Sequence, residues 1–246
     1  MFAAIDTDIL LYRAAIAAET EIEWGDDIWS LFTDLKDAKQ AFQFQLDKIT
    51  DTLGVKDYVC CLSDHGNNFR KVVDPSYKSN RRGTRKPVGY VALCDWVEQN
   101  FQTFRRPKIE ADDCMGLLAT KSENVGQCII VSDDKDMKTV PGKLYRPTSD
   151  ERLDITPADA DRFFLTQCLT GDSTDGYSGV PGIGPKKAEQ ILGTRPHWGA
   201  VEQAYIKAGM TRDDAIRQAR LARILRWDDW DEIKKEVRLW EPTRNT

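Results

Sequence analysis

Histidine is nearly absent from this chain: 246 residues carry two, His65 and His197. Neither is placed to act as a general base, so catalysis built on an imidazole is not the first reading. Paired cysteines are missing too. Cys60, Cys61, Cys94, Cys114, Cys128 and Cys168 show no C-x-x-C spacing, and several lie in apolar runs such as Tyr58–Leu62. They are expected to be buried reduced thiols of a cytoplasmic protein, which excludes a disulfide frame and a zinc site. No long apolar run and no signal peptide are present, so neither a membrane span nor export is expected. Internal repeats and low-complexity tracts are also lacking. Net positive charge is missing as well: the chain carries −5 with a pI near 5.2, which argues against indiscriminate binding of polyanions.

What is present is charge segregated along the chain. Between His65 and Lys108 the cations are Arg70, Lys71, Lys78, Arg81, Arg82, Arg85, Lys86, Arg105, Arg106 and Lys108, against Asp74, Asp95 and Glu98. A local basic segment on an acidic protein is the electrostatic footprint of a nucleic-acid contact. Phe69-Arg70 and Tyr77-Lys78-Ser79-Asn80-Arg81-Arg82 interleave aromatics with cations, a mixture that can stack on an unpaired base and grip phosphate. A solvated basic loop is the plainer alternative.

Periodicity supplies the fold. Phe2–Ile5, Tyr58–Leu62, Gln127–Val131 and Lys143–Arg146 read as strands, and Ile9–Ala18, Asp34–Leu53, Val88–Phe101 and Ala111–Ser122 as helices. The alternation predicts an α/β fold with a mostly parallel central sheet flanked by helices. Thr156-Pro157 is a helix start, and helices are expected over 157–169, 185–192, 198–208, 212–226 and 229–238. The expected plan is an α/β core over 1–150, with a basic arch segment at about 65–108, and a helical DNA-gripping region over 151–246. The acidic Glu19–Ser30 segment has no clear assignment.

Three predicted strands run into acids: Asp6 after Ile5, Asp64 after Leu62, and Asp134 and Asp136 after Val131. In open parallel sheets the crevice beyond the strand carboxyl ends gathers such side chains. Glu110-Ala111-Asp112-Asp113 opens a helix, and Asp172 and Asp175 come from the helical region. Repelling carboxylates converge stably where cations neutralise them, and an oxygen-only donor set points to magnesium or manganese. Two such ions can activate a water and stabilise a leaving phosphodiester oxygen. Single acids at strand ends and helix starts are commonly caps; Asp133 is expected to be a turn residue and Asp8 a helix-start residue.

Downstream of Asp172 and Asp175 stands Gly179-Val180-Pro181-Gly182-Ile183-Gly184-Pro185-Lys186-Lys187. Without a preceding strand this is not a dinucleotide fingerprint. It suits a helix–hairpin–helix in which glycines let backbone N–H groups approach phosphate and the next helix start favours the anion. Such contacts are blind to base sequence. An ordinary Gly/Pro turn is the alternative.

In order, these motifs resemble the 5′→3′ exonuclease/flap endonuclease superfamily. Ile5-Asp6…Leu11-Tyr12-Arg13-Ala14 is similar to its first metal motif, Asp64…Phe69-Arg70…Tyr77-Lys78-x-x-Arg81 to its second acid and arch, Glu110-Ala-Asp112-Asp113 to its E-A-D-D. Ser132-Asp133-Asp134-Lys135-Asp136 is similar to its S-G-D-K-D, and Gly171-Asp172-x-x-Asp175 with Gly179–Lys186 to its last metal motif and hairpin. The likeness spans about residues 2–192, and the tail at 222–240 looks most like exonucleases of short-tailed phages. It implies a PIN-like fold and a 5′→3′ deoxyribonuclease. Asp6, Asp64, Glu110 and Asp112 would hold one Mg2+ or Mn2+, and Asp113, Asp134, Asp136 and Asp175, beside Asp172, would hold or surround a second. Lys78 and Arg81 would orient the scissile phosphate and Tyr77 would stack on the terminal nucleotide. Arg70, Arg82, Gly179, Val180, Gly182, Ile183, Gly184, Lys186 and Lys187 would contact DNA, the hairpin in relatives often through K+. The implied partners are double-stranded DNA with 5′ ends, nicks or flaps, RNA primers on DNA, and replication proteins, in the cytoplasm of an infected bacterial host. The chain departs from the family at Gly176, where Asn is usual, and in its short arch, which favours exonuclease action over strict flap cutting.

Two rivals stand against this. Asp6-Thr7-Asp8 has the D-x-D form of a haloacid dehalogenase-type phosphatase, in which Asp6 would be nucleophile and Asp8 the acid; there Asp8→Ala abolishes activity, whereas a nuclease is expected to lose little. The other is a non-catalytic module that binds DNA through the hairpin. Single-strand ribonucleases share a related acidic crevice but normally lack the hairpin.

Overall fold

The structure, a computed structural model, describes residues 1–66, 68–81 and 83–242. In chain order it runs through β1 (Phe2–Asp6), α1 (Thr7–Ala17), β2 (Glu19–Glu23), β3 (Trp29–Thr33), α2 (Leu35–Leu53), β4 (Asp57–Cys61), the short α3 (Phe69–Val73), α4 (Tyr90–Asn100), β5 (Thr103–Phe104) and α5 (Ala111–Thr120). Then come β6 (Cys128–Val131), β7 (Gly142–Arg146), β8 (Glu151–Ile155), α6 (Pro157–Thr170), α7 (Pro185–Leu192), α8 (Trp198–Lys207), α9 (Arg212–Ala222), β9 (Trp230–Asp231) and β10 (Glu236–Val237).

Among the described residues the main sheet has six strands in the order β5-β4-β1-β6-β7-β8. β1 is central because Ala3, Ala4 and Ile5 are buried on both faces, as a doubly covered parallel strand requires. It pairs in parallel with β4 on one side and β6 on the other. One face is covered by α1, α2 and α4 through Leu11, Ala14, Phe42, Leu46, Leu93 and Val97. The other is covered by α5 through Met115 and Leu117, joined by Ile224, Leu225 and Trp230 from the chain's end. Helices α6 to α9 share a separate core around Phe164, Leu169, Tyr177 and Tyr205. From β1 the chain moves out to β4 and β5, then returns to β6 on the opposite side. That reversal is a topological switch point, and it opens a crevice at the carboxyl ends of β1 and β6.

Several expected elements differ. Glu19–Ser30 belongs to the β2–β3 hairpin, whose Glu19 carboxylate accepts from Arg85 at 2.6 and 2.8 Å and from the Val88 amide at 2.7 Å. The acidic segment thus ties down the basic one. The sheet continues past residue 150, because β8 returns antiparallel along β7. The segment 229–238 is not a helix but the β9–β10 hairpin. There the Asp231 carboxylate accepts from the Ile233 and Lys234 amides, and Lys235 is left-handed at φ +57°, so a local turn outcompetes the helix. α9 stops at Ala222 instead of 226, since Leu221, Arg223 and Leu225 give their backbone groups to Arg70 and Asp113. Much of the segment 65–108 expected as an arch is body: α4 packs into the core and β5 joins the sheet. Among the described residues no helix is long and apolar enough to cross a membrane.

Candidate active site

Asp6 ends β1, and α1 begins at once, so Asp8 in its first turn stands on the same rim. The turn after β6 delivers Asp134, and α5 starts at Glu110 and carries Asp112 in its first turn. These five carboxylates line one cleft of about 430 Å3, walled also by Tyr12, Ser63, His65 and Tyr90 and by the cations Lys78, Arg81, Arg85 and Lys86.

The acids fall into two electrostatic groups. Asp6, Asp8, Asp112 and Asp134 form no ion pair among the described residues. Burial, then Asp8, pushes the Asp6 carboxyl up to about 7, and burial with Asp6 and Asp134 raises that of Asp112 well above its usual range. Glu110 is the opposite case. Burial resists its ionisation, but the Lys78 ammonium at 2.7 Å and the Arg70 guanidinium at 3.3 Å prevail and hold it at about 2.

A second set of acids sits alongside, where α6 and its following loop meet the turn after β6. Asp136 accepts from the Gln167 amide at 2.6 Å, and burial, then Asp134, raises its pKa to about 7. Asp172 pairs with Lys135 at 2.6 Å. Asp175 pairs with Arg81 at 2.8 Å and accepts from the Tyr77 hydroxyl at 3.1 Å. The loop is built to bring Asp175 in. The Lys78 amide donates to the Asp175 carbonyl at 2.8 Å, and a Cβ on Gly176, at φ +80°, would stand 3.3 Å from the Ser76 carbonyl. That positive φ and close approach suit a glycine.

Five expected assignments are corrected by these contacts. Arg70 does not face DNA: its side chain is wholly buried between α3, α5 and the chain after α9, donating to Asp113, Glu110 and the carbonyls of Leu221 and Arg223. Asp113 is equally buried and spent on Arg70 and on the amides of Glu110 and Leu225, so it offers nothing to a metal ion. Tyr77 is 2% exposed and its hydroxyl donates to Glu110 and Asp175, so it holds carboxylates in place and has no open face for a nucleotide. Asp64 is not one of these: it lies between Ser63 and His65 of the cleft wall, and its two oxygens accept from the Gly66 and Lys108 amides. Gly179 and Val180 are interior: a Cβ on Gly179 would stand 2.3 Å from the Gly171 nitrogen, and Val180 packs in the helical core.

The rest of the hairpin is open. Gly182, Gly184, Lys186 and Lys187 are exposed and Ile183 is half-buried. Gly184 caps α7, and Lys187 donates to the Gly182 carbonyl at 2.8 Å. α6, hairpin and α7 therefore form the expected helix–hairpin–helix. Arg82, expected to bind DNA, lies outside the described residues. Asp8 is the residue whose place in the cleft was not anticipated. The available signal was its position two residues after a strand-end acid, where a first helical turn still faces the crevice.

Among the described residues no three His, Cys, Asp or Glu side chains form a ready-made metal cage. The donor set nonetheless fits a hard divalent cation: four oxygen-only carboxylates in one cleft lack a cationic partner, and burial penalises the charge of Asp6 and Asp112. The phosphatase alternative fails on topology, because Asp172 and Asp175 follow helix α6 where that fold requires a strand.

A mostly parallel sheet with an acidic switch-point cleft and a helix–hairpin–helix beside it defines a resolvase-like nuclease. The family model described as "5'-3' exonuclease, N-terminal resolvase-like domain" matches residues 1–154. The exodeoxyribonuclease of Enterobacteria phage T3 and the exonuclease of Escherichia phage T7 are each 32% identical to the chain, over 97% of this chain and 92% of theirs. The 5′-exonuclease of phage T5, solved with bound divalent zinc, superposes with a TM-score of 0.62 at 15% identity, over 90% of this chain and 88% of that one. The chain belongs to the 5′→3′ exonuclease family and is a nuclease, a phosphodiester hydrolase.

Proposed function

We propose that this nuclease degrades double-stranded DNA from 5′ ends with two divalent ions, Mg2+ or Mn2+, at the cleft. One observation carries the reading: uncompensated carboxylates of Asp6, Asp112 and Asp134 face a rim of Lys78, Arg81, Arg85 and Lys86. Acids of this kind take up hard cations, and the opposing cations receive the phosphate that those ions contact. Glu110, Asp136, Asp172 and Asp175 flank them on the side of the helical region. Bound there, such ions supply an activated water and charge stabilisation for the leaving oxygen.

The chain's own residues do the positioning. Lys78 and Arg81, now paired with Glu110 and Asp175, turn to the scissile phosphate and orient it. The amides of Gly182 to Gly184, the start of α7, and Lys186 and Lys187 hold the duplex backbone downstream, and the hairpin would be where K+, if bound, adds positive charge toward phosphate. Nicks, flaps and RNA–DNA primer ends present the same terminus and belong to the substrate range, with replication proteins as the source of such ends.

Digestion of duplexes labelled at the 5′ or 3′ end, blunt, nicked, flapped and RNA-primed, tests this. Loss of 5′ label that needs Mg2+ or Mn2+ and stops in EDTA is expected. Cleavage that persists under chelation, or that consumes 3′ ends first, overturns it.

A further inference from the structure

Gln167 stands on the last turn of α6, just before the loop that carries Asp172 and Asp175. It is 5% exposed, and the other buried residues of that helix are Ala160, Phe164, Leu165, Cys168 and Leu169. A glutamine is out of place in such company, where an apolar side chain fills space without burying an amide. Its side-chain nitrogen donates to the Asp136 carboxylate at 2.6 Å, while its side-chain oxygen, also buried, has no hydrogen-bond partner among the described residues. An unsatisfied buried acceptor costs free energy, so packing does not account for this residue; its one side-chain bond does. The backbone of Gln167 reaches the other way. Its carbonyl accepts from the Gly171 amide at 2.8 Å, where α6 gives way to the loop. Asp136 is fixed from its own side through its main chain: its amide donates to the Asp134 carboxylate at 2.8 Å, and its carbonyl accepts from the Thr139 hydroxyl at 2.7 Å. Among the described residues, Gln167 is the one hydrogen-bond donor to the Asp136 carboxylate itself.

We propose that Gln167 is a positioning residue for the divalent ion on the side of the helical region: it holds one oxygen of Asp136 and leaves the other for the ion. The inference rests on the two-ion reading above and deepens it. A carboxylate with one oxygen engaged does not turn freely, so its orientation is set before an ion arrives. Gln167 also ties this acid to the loop beyond α6. The turn after β6 supplies Asp136, the loop supplies Asp172 and Asp175, and one residue bonds to both pieces. Lys135 spans the same two pieces through Asp172 at 2.6 Å, but its side chain is 59% exposed. A solvated ion pair of that kind is the weaker constraint.

The test counts Mn2+ bound to the metal-free protein by electron paramagnetic resonance, with cleavage of a 5′-labelled duplex followed in parallel. Gln167→Met keeps the length and bulk of the side chain but removes the donor. It is expected to weaken one of two classes of bound Mn2+ by roughly 10–100-fold and to leave the other within about threefold. The Mn2+ dependence of cleavage should shift upward with little change in KM for DNA. Gln167→Asn keeps the amide but draws it back by one methylene, and it should show the same selective loss in milder form should Gln167→Met fold poorly. A double variant separates positioning from packing. With Asp136→Asn in place, adding Gln167→Met should weaken Mn2+ no further, because Gln167 acts through that carboxylate. Natural Mn2+ affinity in both single variants, equal weakening of the two classes, or additive losses in the double variant overturns the inference and leaves the two-ion reading standing. A natural protein with a single class of bound Mn2+ overturns that reading and the inference with it.

Discussion

The guanidinium of Arg70 grips the carboxylate of Asp113 through two nitrogens at 2.7 Å, and neither side chain has any exposure. The pair joins three pieces of chain that are remote in sequence: α3, the start of α5, and the extended segment after α9. Arg70 reaches the Leu221 and Arg223 carbonyls, and Asp113 accepts from the Leu225 amide at 3.1 Å. Because Arg70 also contacts Glu110, this buried pair places a cleft carboxylate.

Breaking the pair from one side strands a buried charge. Arg70→Met is expected to cost about 3–5 kcal/mol, read as a lower urea midpoint. Replacing both residues by apolar ones is expected to recover part of that and no more, since Asp113 also serves two backbone amides. A single variant as stable as the natural protein contradicts the assignment.

Lys78 is held in a left-handed conformation at φ +52°, between Glu110 and Asp175. If it turns to the phosphate in the transition state, Lys78→Ala lowers kcat by about two orders of magnitude, as loss of a charge-stabilising donor does, and changes KM little. A loss confined to KM places Lys78 in ground-state binding alone.

Acid–base titration of the cleft makes stability depend on pH in a stated direction. Asp6 and Asp136 are raised from 3.8 to about 7, burial being the largest cause for each. Between those values the folded state binds more protons than the unfolded one, so stability falls as pH rises through that window and levels off above it. Glu110, pulled down to about 2 from 4.5, contributes stability that is present above 4.5 and lost only as pH falls toward 2. In EDTA the thermal midpoint should therefore drop between about pH 5 and pH 8, and Mn2+ should restore it at the upper end. A midpoint that climbs steadily over that range in EDTA refutes the arrangement of unpaired acids.

Two glycines of the hairpin region should separate structure from binding. Gly179, at φ +61° and against the Gly171 backbone, leaves no room for a methyl group, so Gly179→Ala should unfold or strongly destabilise the helical region. Gly182, at φ +73°, has nothing within 4 Å of a Cβ. Gly182→Ala should cost about 1–2 kcal/mol from backbone strain alone. Circular dichroism melts of the two variants decide this, and equal losses contradict it.

Lys186 and Lys187 should each contribute to duplex affinity without regard to sequence. Replacing either by Ala should reduce the slope of log K against log salt by about 1, measured by fluorescence anisotropy on two unrelated duplexes. A loss that differs between the duplexes points to base contact in place of phosphate contact.

The α/β alternation, the strand-end acids Asp6 and Asp134, the start of α5 at Glu110 and the hairpin after α6 were all legible from residue order. Each depends on local pattern: apolar runs mark buried strands, Thr156-Pro157 starts a helix, and Gly54 at φ +64° ends one. The β2–β3 and β9–β10 hairpins were not legible, because their side chains cap turns and reach distant partners where a helical or irregular reading fits the composition equally well.

Sequence by itself determined that carboxylates and cations would meet at the mouth of a parallel sheet, since hydrophobic periodicity sets which residues stand at strand ends. Tertiary structure alone decided which of them face the cleft. Arg70, Tyr77 and Asp113 have the residue types the chemistry calls for, yet their hydrogen-bonding capacity is taken up mainly by neighbours tens of residues away in the chain. Asp8, an ordinary helix-start residue in the sequence, lines the cleft. Burial and partner choice are properties of the packed molecule, and they determine which charges remain available to an ion or a phosphate.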